Sequence, residues 1–291
     1  MEKYGIVDTG SNTIVLIVYE IKENMPHVLK YISTPAHLID YVKDNTMSKQ
    51  GIETARRTLA EYASILDEME IYVRYADITE PGRIQNRNEL MDALASTGFH
   101  VIALTGEEEA ACDYYGAMLT YREIKDGVAF DVGGGSTELI RFQNGECIDA
   151  MSFPYGCVRL SHLSLDTDIC QIEIEKARKQ YPSLDIHCSG LIGIGGTMRA
   201  AGLVVDALYG KHSPMQVKDL EDTFRRLREN ETAAVEAMKQ IVNVARIPVF
   251  LPGIHMILEI CHAFHAKHIY VSETGIREGF LLKYVLKQEL L

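Results

Sequence analysis

The stretch whose reading decides the fold is Phe130–Phe142, FDVGGGSTELIRF. It alternates like a strand on both sides of Gly133, Gly134 and Gly135, and the glycines follow an acid, Asp131. A glycine-rich turn between strands lets bare backbone N–H groups approach a ligand, because no Cβ is in the way. Successive N–H groups in such a turn form a concave anion site. Ser136 adds a hydroxyl donor. The start of the chain repeats the pattern in Asp8-Thr9-Gly10-Ser11-Asn12, where Ser11 is expected at the place Ser136 takes. One such hairpin is as readily an ordinary turn, since lone glycine motifs are weak signals. Two at equivalent points of a repeated pattern suggest two phosphate-gripping loops. An acid beside a phosphate repels it unless a cation lies between. Asp8 and Asp131 therefore suggest Mg2+, with Mn2+ as the alternative, held through oxygen ligands and water.

Outward from these hairpins the chain reads as one pattern used twice. YGIVDTGSNTIVLIVYE gives two strands joined by a polar turn at residues 8–12, and PHVLKYIS a third strand. Apolar residues from Ile52 to Met69 recur at helical spacing, with Ser48 as cap. IYVRYAD is a strand, and NELMDALAST a helix with Asn88 as cap and Gly98 as stop. HVIAL and TGEEEAACDYYGAML supply another strand and helix. This alternation is that of a parallel sheet with crossover helices. Near residue 120 it restarts: two strands around the glycines, a hairpin turn at Asn144–Gly145, the strand CIDAMSF, and later LIGIGGTMRAAGLVVDALYG, a strand, glycine turn and helix. Helices over about 217–245, PGIHMILEICHAFHA, the strand HIYVSE and a final helix from GIREGF follow. The fold class is α/β with two domains, 1–120 and 121–278, divided near Leu119–Arg122.

Composition narrows the function. The 291 residues are 47% hydrophobic, enough for two cores, and the net charge is -12. Duplex nucleic acid is not an expected partner, because its binders need basic surface. No leader or apolar run long enough for a bilayer is read, so the expectation is a cytoplasmic protein without membrane partner. The six cysteines lie far apart without CxxC, as for small buried residues kept reduced. Arg225–Glu229, RRLRE, with Lys218 is a basic run of the kind usually found on a solvated helix face. His262, His265 and His268 fit an amphipathic helix end better than a metal site. Gly193-Ile194-Gly195-Gly196-Thr197 opens a helix whose free N–H groups suit a phosphate, with Gly195, Gly196 and Thr197 as contacts. It matches neither a P-loop nor a full dinucleotide fingerprint. Thr105 and Glu108 read as a capping box, and acids in a first turn suit the helix dipole. Glu138 shares a strand face with Ser136.

The motifs DTGSN (8–12), TGEEEA (105–110), DVGGGSTEL (131–139), YGCVRLSHL (155–163), GIGGT (193–197), VFLPG (249–253) and VSETGIREGFL (271–281) follow in order. Together they resemble the exopolyphosphatase and guanosine pentaphosphate phosphohydrolase (Ppx/GppA) family, in its short two-domain form. The resemblance implies a duplicated actin-like ATPase fold of the sugar kinase, Hsp70 and actin superfamily, ribonuclease H-like in each half, with an interdomain cleft. It implies that the last helix, about 279–291, packs on the first domain, and that dimers are common. Its general base corresponds to Glu109, and Glu138 to a second active-site glutamate. Its phosphate-gripping arginine corresponds to Arg83, although Pro81-Gly82 and a shifted Asn depart from the family pattern. A second family arginine is replaced by Ala111. Arg246 is a further candidate, whereas Arg159 and Arg277 read equally well as structural. The expected reaction is Mg2+-dependent hydrolysis of the terminal phosphoanhydride of polyphosphate or guanosine pentaphosphate. The alternatives are an ATP-dependent small-metabolite kinase or ATPase of the same fold, and a non-catalytic sensor of guanosine polyphosphates.

Overall fold

The structure, a computed structural model, describes residues 2–23, 25–165 and 167–287. The chain divides into two compact units, Met1–Glu109 with Phe280–Leu291, and Ala110–Gly279.

The first unit runs β1 (Lys3–Thr9), β2 (Thr13–Lys22), β3 (Met25–Pro35), a two-strand ribbon of β4 (Val42–Lys43) and β5 (Thr46–Met47), α1 (Lys49–Glu68), β6 (Arg74–Ile78), α2 (Arg87–Ala95) and β7 (His100–Ala103). Its sheet has the order β3-β2-β1-β6-β7. The first three strands are antiparallel, and β6 and β7 join parallel to β1. Strand β1 is buried almost throughout, as expected of a central strand covered on both faces. Ile14, Leu16, Leu59, Leu66, Ala76 and Leu94 lie in its core. Ser48 caps α1 by accepting from the Gly51 N–H at 3.3 Å.

The helix α3 (Gly106–Tyr121) leads into β8 (Gly127–Val132), β9 (Thr137–Gln143), β10 (Glu146–Phe153), α4 (Cys157–Leu160), α5 (Ile169–Gln180), β11 (Gly190–Ile194), α6 (Gly195–Tyr209), β12 (Met215–Gln216), α7 (Val217–Arg228), α8 (Thr232–Ile241), α9 (Ile247–Ala263), β13 (His268–Val271) and α10 (Ile276–Phe280). The second sheet has the order β10-β9-β8-β11-β13-β12. Its first five strands repeat the first sheet: three antiparallel strands, then two parallel ones.

Four expectations need correction. The division falls at Glu109/Ala110 rather than near 120, because Ala110, Tyr114, Ala117 and Met118 of α3 pack with Ala129, Ile140, Phe142 and Ile192 of the second sheet. Asn88 does not cap α2. The helix starts after Asn86, whose side chain instead binds the backbone of Met47 through both its amide groups, each at 3.0 Å. The final helix is short: α10 ends at Phe280, and a wider π-helical turn covers Leu281–Val285. The part of that expectation at 288–291 lies outside the described residues. Finally, Val244–Ala263 is long and apolar enough to cross a membrane by length and composition. Within α9, however, Phe250, Ile254, Ile257 and Ile260 belong to the core of the second unit.

Candidate active site

The two hairpins that opened the reading have the same architecture. Thr9 pairs with Ile14 across the first, and Val132 with Thr137 across the second, so each turn holds four residues. The Gly10 N–H donates to the Thr13 carbonyl at 3.1 Å, and the Gly133 N–H to the Ser136 carbonyl at 3.0 Å. This register corrects one correspondence. Ser136 is the fourth turn residue and matches Thr13, whereas Ser11 is the second. By the same count Glu138, opposite Asp131, is matched in the first unit by Val15, opposite Asp8. The glutamate therefore belongs to the second hairpin alone.

In the first unit, the turn is fixed from outside. The Asn12 carbonyl accepts from the N–H groups of Ala36 and His37, both at 2.9 Å, and the Ser11 carbonyl from Ile39 at 2.9 Å. Asp8, half-buried, ends β1 beside Asp77, its fully buried register partner on β6. The Ser11 hydroxyl donates to Glu80 at 2.9 Å. Glu80 opens a short 3-10 turn, Glu80–Arg83, with Pro81 at its start. That turn puts the Arg83 guanidinium in an ion pair with Glu109. The departure at Pro81-Gly82 thus leaves Arg83 beside the candidate base. Glu109 sits in the first turn of α3, behind the expected capping box: the Glu108 N–H donates to Thr105 Oγ1 at 3.2 Å, and the Thr105 N–H to Glu108 Oε2 at 2.9 Å. Of the three acids, Glu108 is the cap and Glu109 the one held by an arginine.

In the second unit, the glycine turn is gripped by the start of α4, as the N–H groups of Cys157 and Val158 donate to the carbonyls of Gly133 and Gly134, both at 2.9 Å. Glu138 is buried, and its Oε1 accepts from the hydroxyls of Ser136 and Ser152, both at 2.7 Å. The Ser136 hydroxyl, expected to face a ligand, orients this carboxylate. Asp131 lies on β8 next to Ile194 of β11, and its carboxylate rests against Gly195. Gly195 has φ +83°, and a Cβ there would collide with that carboxylate, so the turn needs glycine on both counts. Helix α6 then starts with no side-chain cap. Its first N–H groups and their dipole make a place for an anion. The Arg246 guanidinium lies over Gly196. Thr197, the third GIGGT candidate, is buried and hydrogen-bonded to Cys157. Burial pushes the Cys157 thiol up from its ordinary value, although Arg246 opposes this, so the thiol is not poised as a nucleophile.

The minor candidates behave as structural groups. His262 bonds Glu221 at 2.9 Å, while the His265 ring packs on His187. Among the described residues, no group of three or more His, Cys, Asp or Glu side chains could hold a metal on its own. Arg225 pairs with Asp222 and Glu229, and Arg226 with Glu231, so two of the run's three arginines are held by acids. Tyr114 is packed against Phe142. Sequence reading missed Glu80 and Ser152. Glu80 carried a faint signal as an acid beside Thr79 in the arginine segment. Ser152 carried none, because a bulge sets its register.

A whole-chain comparison now has a geometry to meet. The model of the Ppx/GppA phosphatase family matches residues 17–288. The chain belongs to that family and is, with it, a hydrolase acting on phosphoanhydrides. A Haemophilus influenzae protein described as a candidate exopolyphosphatase is 23% identical over 294 residues, covering 97% of this chain and 91% of the relative. A crystal structure of the Aquifex aeolicus family member aligns with TM-score 0.78 at 22% identity, over 100% of this chain and 99% of the other. That of an exopolyphosphatase from Cytophaga hutchinsonii aligns with TM-score 0.82 at 21% identity, over 99% of both. These likenesses give the chain the same α/β fold as those structures.

Proposed function

We propose that the chain hydrolyses the terminal phosphoanhydride of inorganic polyphosphate or guanosine pentaphosphate with Mg2+, releasing orthophosphate. The observation that carries the reading is the Arg83–Glu109 ion pair, because it joins the candidate base to the candidate phosphate-gripping arginine. Glu109 takes a proton from a water whose oxygen attacks the terminal phosphorus. The bridging P–O bond breaks, and the shortened chain leaves with its electron pair. Arg83 offers a planar fork of donors to the transferring group. In the second unit, Arg246, the uncapped start of α6 and the N–H groups after Gly133 offer further donors to phosphate oxygens; the N–H groups of Ser11 and Asn12 do so in the first.

Asp8 in the first unit and Asp131 in the second are each half-buried hard oxygen donors of the kind Mg2+ takes, and Glu138 lies on the strand opposite Asp131. Mg2+ is commonly held by one or two carboxylates plus water and substrate phosphates. When bound, the ion would neutralise charge on the phosphate oxygens.

The test is phosphate release with Mg2+ from polyphosphates of several lengths, guanosine pentaphosphate and ATP. Release from polyphosphate or pentaphosphate without an acceptor is expected. Glu109→Gln should lower it about 100-fold or more while leaving the fold intact. Turnover that survives this change would remove Glu109 as the base. Tight binding without release by the wild type would turn the reading to a sensor, and a requirement for ATP and an acceptor to a kinase.

A further inference from the structure

Beside the Arg83–Glu109 pair, the first unit contains a cavity of about 400 Å³. It is walled by the segment from Gly82 to Asn88 and by Ala103–Gly106. Two arginines, Arg83 and Arg87, line it, and no acid does. In a chain of net charge -12, such a lining concentrates positive potential locally. Arg83 is neutralised in part by Glu109. The Arg87 guanidinium makes no ion pair or hydrogen bond among the described residues. The amides of Gln85 and Asn88, equally uncommitted there, add neutral donors to the same lining.

This wall is held in place. The Gln85 N–H donates to the Asn45 carbonyl at 2.8 Å, and Asn86 is pinned to Met47 on both sides of its amide. Arg87 is also the first residue of α2, where the helix dipole disfavours a cation. Arg87 is exposed, so its guanidinium is open to an anion that enters the cavity. The apolar lining is limited to Ile84, Ala103 and Leu104, with no aromatic ring on which a purine could stack.

We infer that this cavity takes the phosphoryl groups next to the one being removed, and that Arg87 is a specificity-determining residue for phosphate chains of three or more units. The inference rests on the hydrolase reading above and deepens it. The experiment measures binding of tripolyphosphate and of orthophosphate by calorimetry in wild type, Arg87→Gln and Arg87→Lys, alongside hydrolysis of pyrophosphate and tripolyphosphate. Arg87→Gln should weaken tripolyphosphate binding about tenfold or more, the usual scale for one charge-assisted hydrogen bond, and leave orthophosphate binding unchanged. Arg87→Lys should restore part of the loss, since it keeps the charge without the fork. In hydrolysis the loss should appear in KM for tripolyphosphate more than in kcat. Equal losses for both ligands, or no loss for either, would overturn the inference. If wild type hydrolyses neither chain but Arg87→Gln still loses tripolyphosphate selectively, the proposed reaction falls and the cavity assignment stands. If hydrolysis is present and Arg87→Gln changes nothing, the reverse holds.

Discussion

At the scale of single residues, the second hairpin shows why a buried carboxylate is tolerable. Glu138 is removed from water, and a charge so placed is costly unless hydrogen-bonded. Ser136 and Ser152 both donate to one of its oxygens. Ser136→Ala and Ser152→Ala should each cost about 1–3 kcal/mol, because each leaves a buried acceptor short of a donor. Urea denaturation of the two variants checks this, and unchanged midpoints would show that the hydroxyls do not support the carboxylate. Ser152 also marks a limit of legibility. Counting back from the turn at Asn144–Gly145 places Met151 opposite Glu138. An irregularity between Cys147 and Asp149 shifts the register by one, so that Ser152 stands there instead. A bulge of this kind follows from packing and leaves no signature in the strand pattern.

At the scale of elements, the first turn of α3 carries both a structural cap and the candidate base. The capping box predicted from Thr105 and Glu108 forms with both halves made. Glu109 lies one residue beyond the box, so fraying of this turn would move the candidate base away from Arg83. Thr105→Ala should cost about 1 kcal/mol of stability. If Glu109 is the base, it should also lower kcat more than it raises KM, because the turns proposed to hold phosphate lie on other elements. Steady-state kinetics beside a denaturation curve would separate the two effects, and a loss confined to KM would contradict the positioning role. The same helix explains the misplaced boundary. Its first residues read as the end of one strand–helix unit, but its later buried face matches the second sheet. Which of two cores a helix joins depends on surfaces brought together by folding.

At the scale of the whole molecule, the buried thiols predict how stability responds to alkali. Burial raises Cys170 from its ordinary 9.0 to about 12, and it raises Cys261 further. The folded state therefore keeps protons that the unfolded chain gives up above about pH 9. With fewer protons bound in the unfolded state, stability falls as pH rises from about 9 towards 12. The urea midpoint should drop between pH 8 and pH 10.5, and Cys170→Ala should make that drop shallower whatever its effect on absolute stability. An identical slope in the variant would show that Cys170 does not contribute. Thiol labelling offers a parallel check: half-buried Cys147 and Cys188 should react before Cys112, Cys157, Cys170 and Cys261.

By itself, the sequence determined the duplicated α/β pattern, the two acid–glycine turns with Asp8 and Asp131 as candidates, and the capping box, while the family resemblance singled out Glu109 and joined strand alternation in pointing to Glu138. The pattern, the turns and the cap rest on local chemistry: side-chain periodicity, glycine in tight turns, or a cap within one helical turn. Tertiary structure alone decided that Arg83, 26 positions from Glu109, meets it in an ion pair. It also decided that Ser11 serves Glu80, that Ser136 and Ser152 serve Glu138, and that Arg87 stands uncommitted at a cavity wall. These pairings join residues that approach only when strands are set in register and loops are pinned. Their energies depend on distance and burial, which no local pattern records.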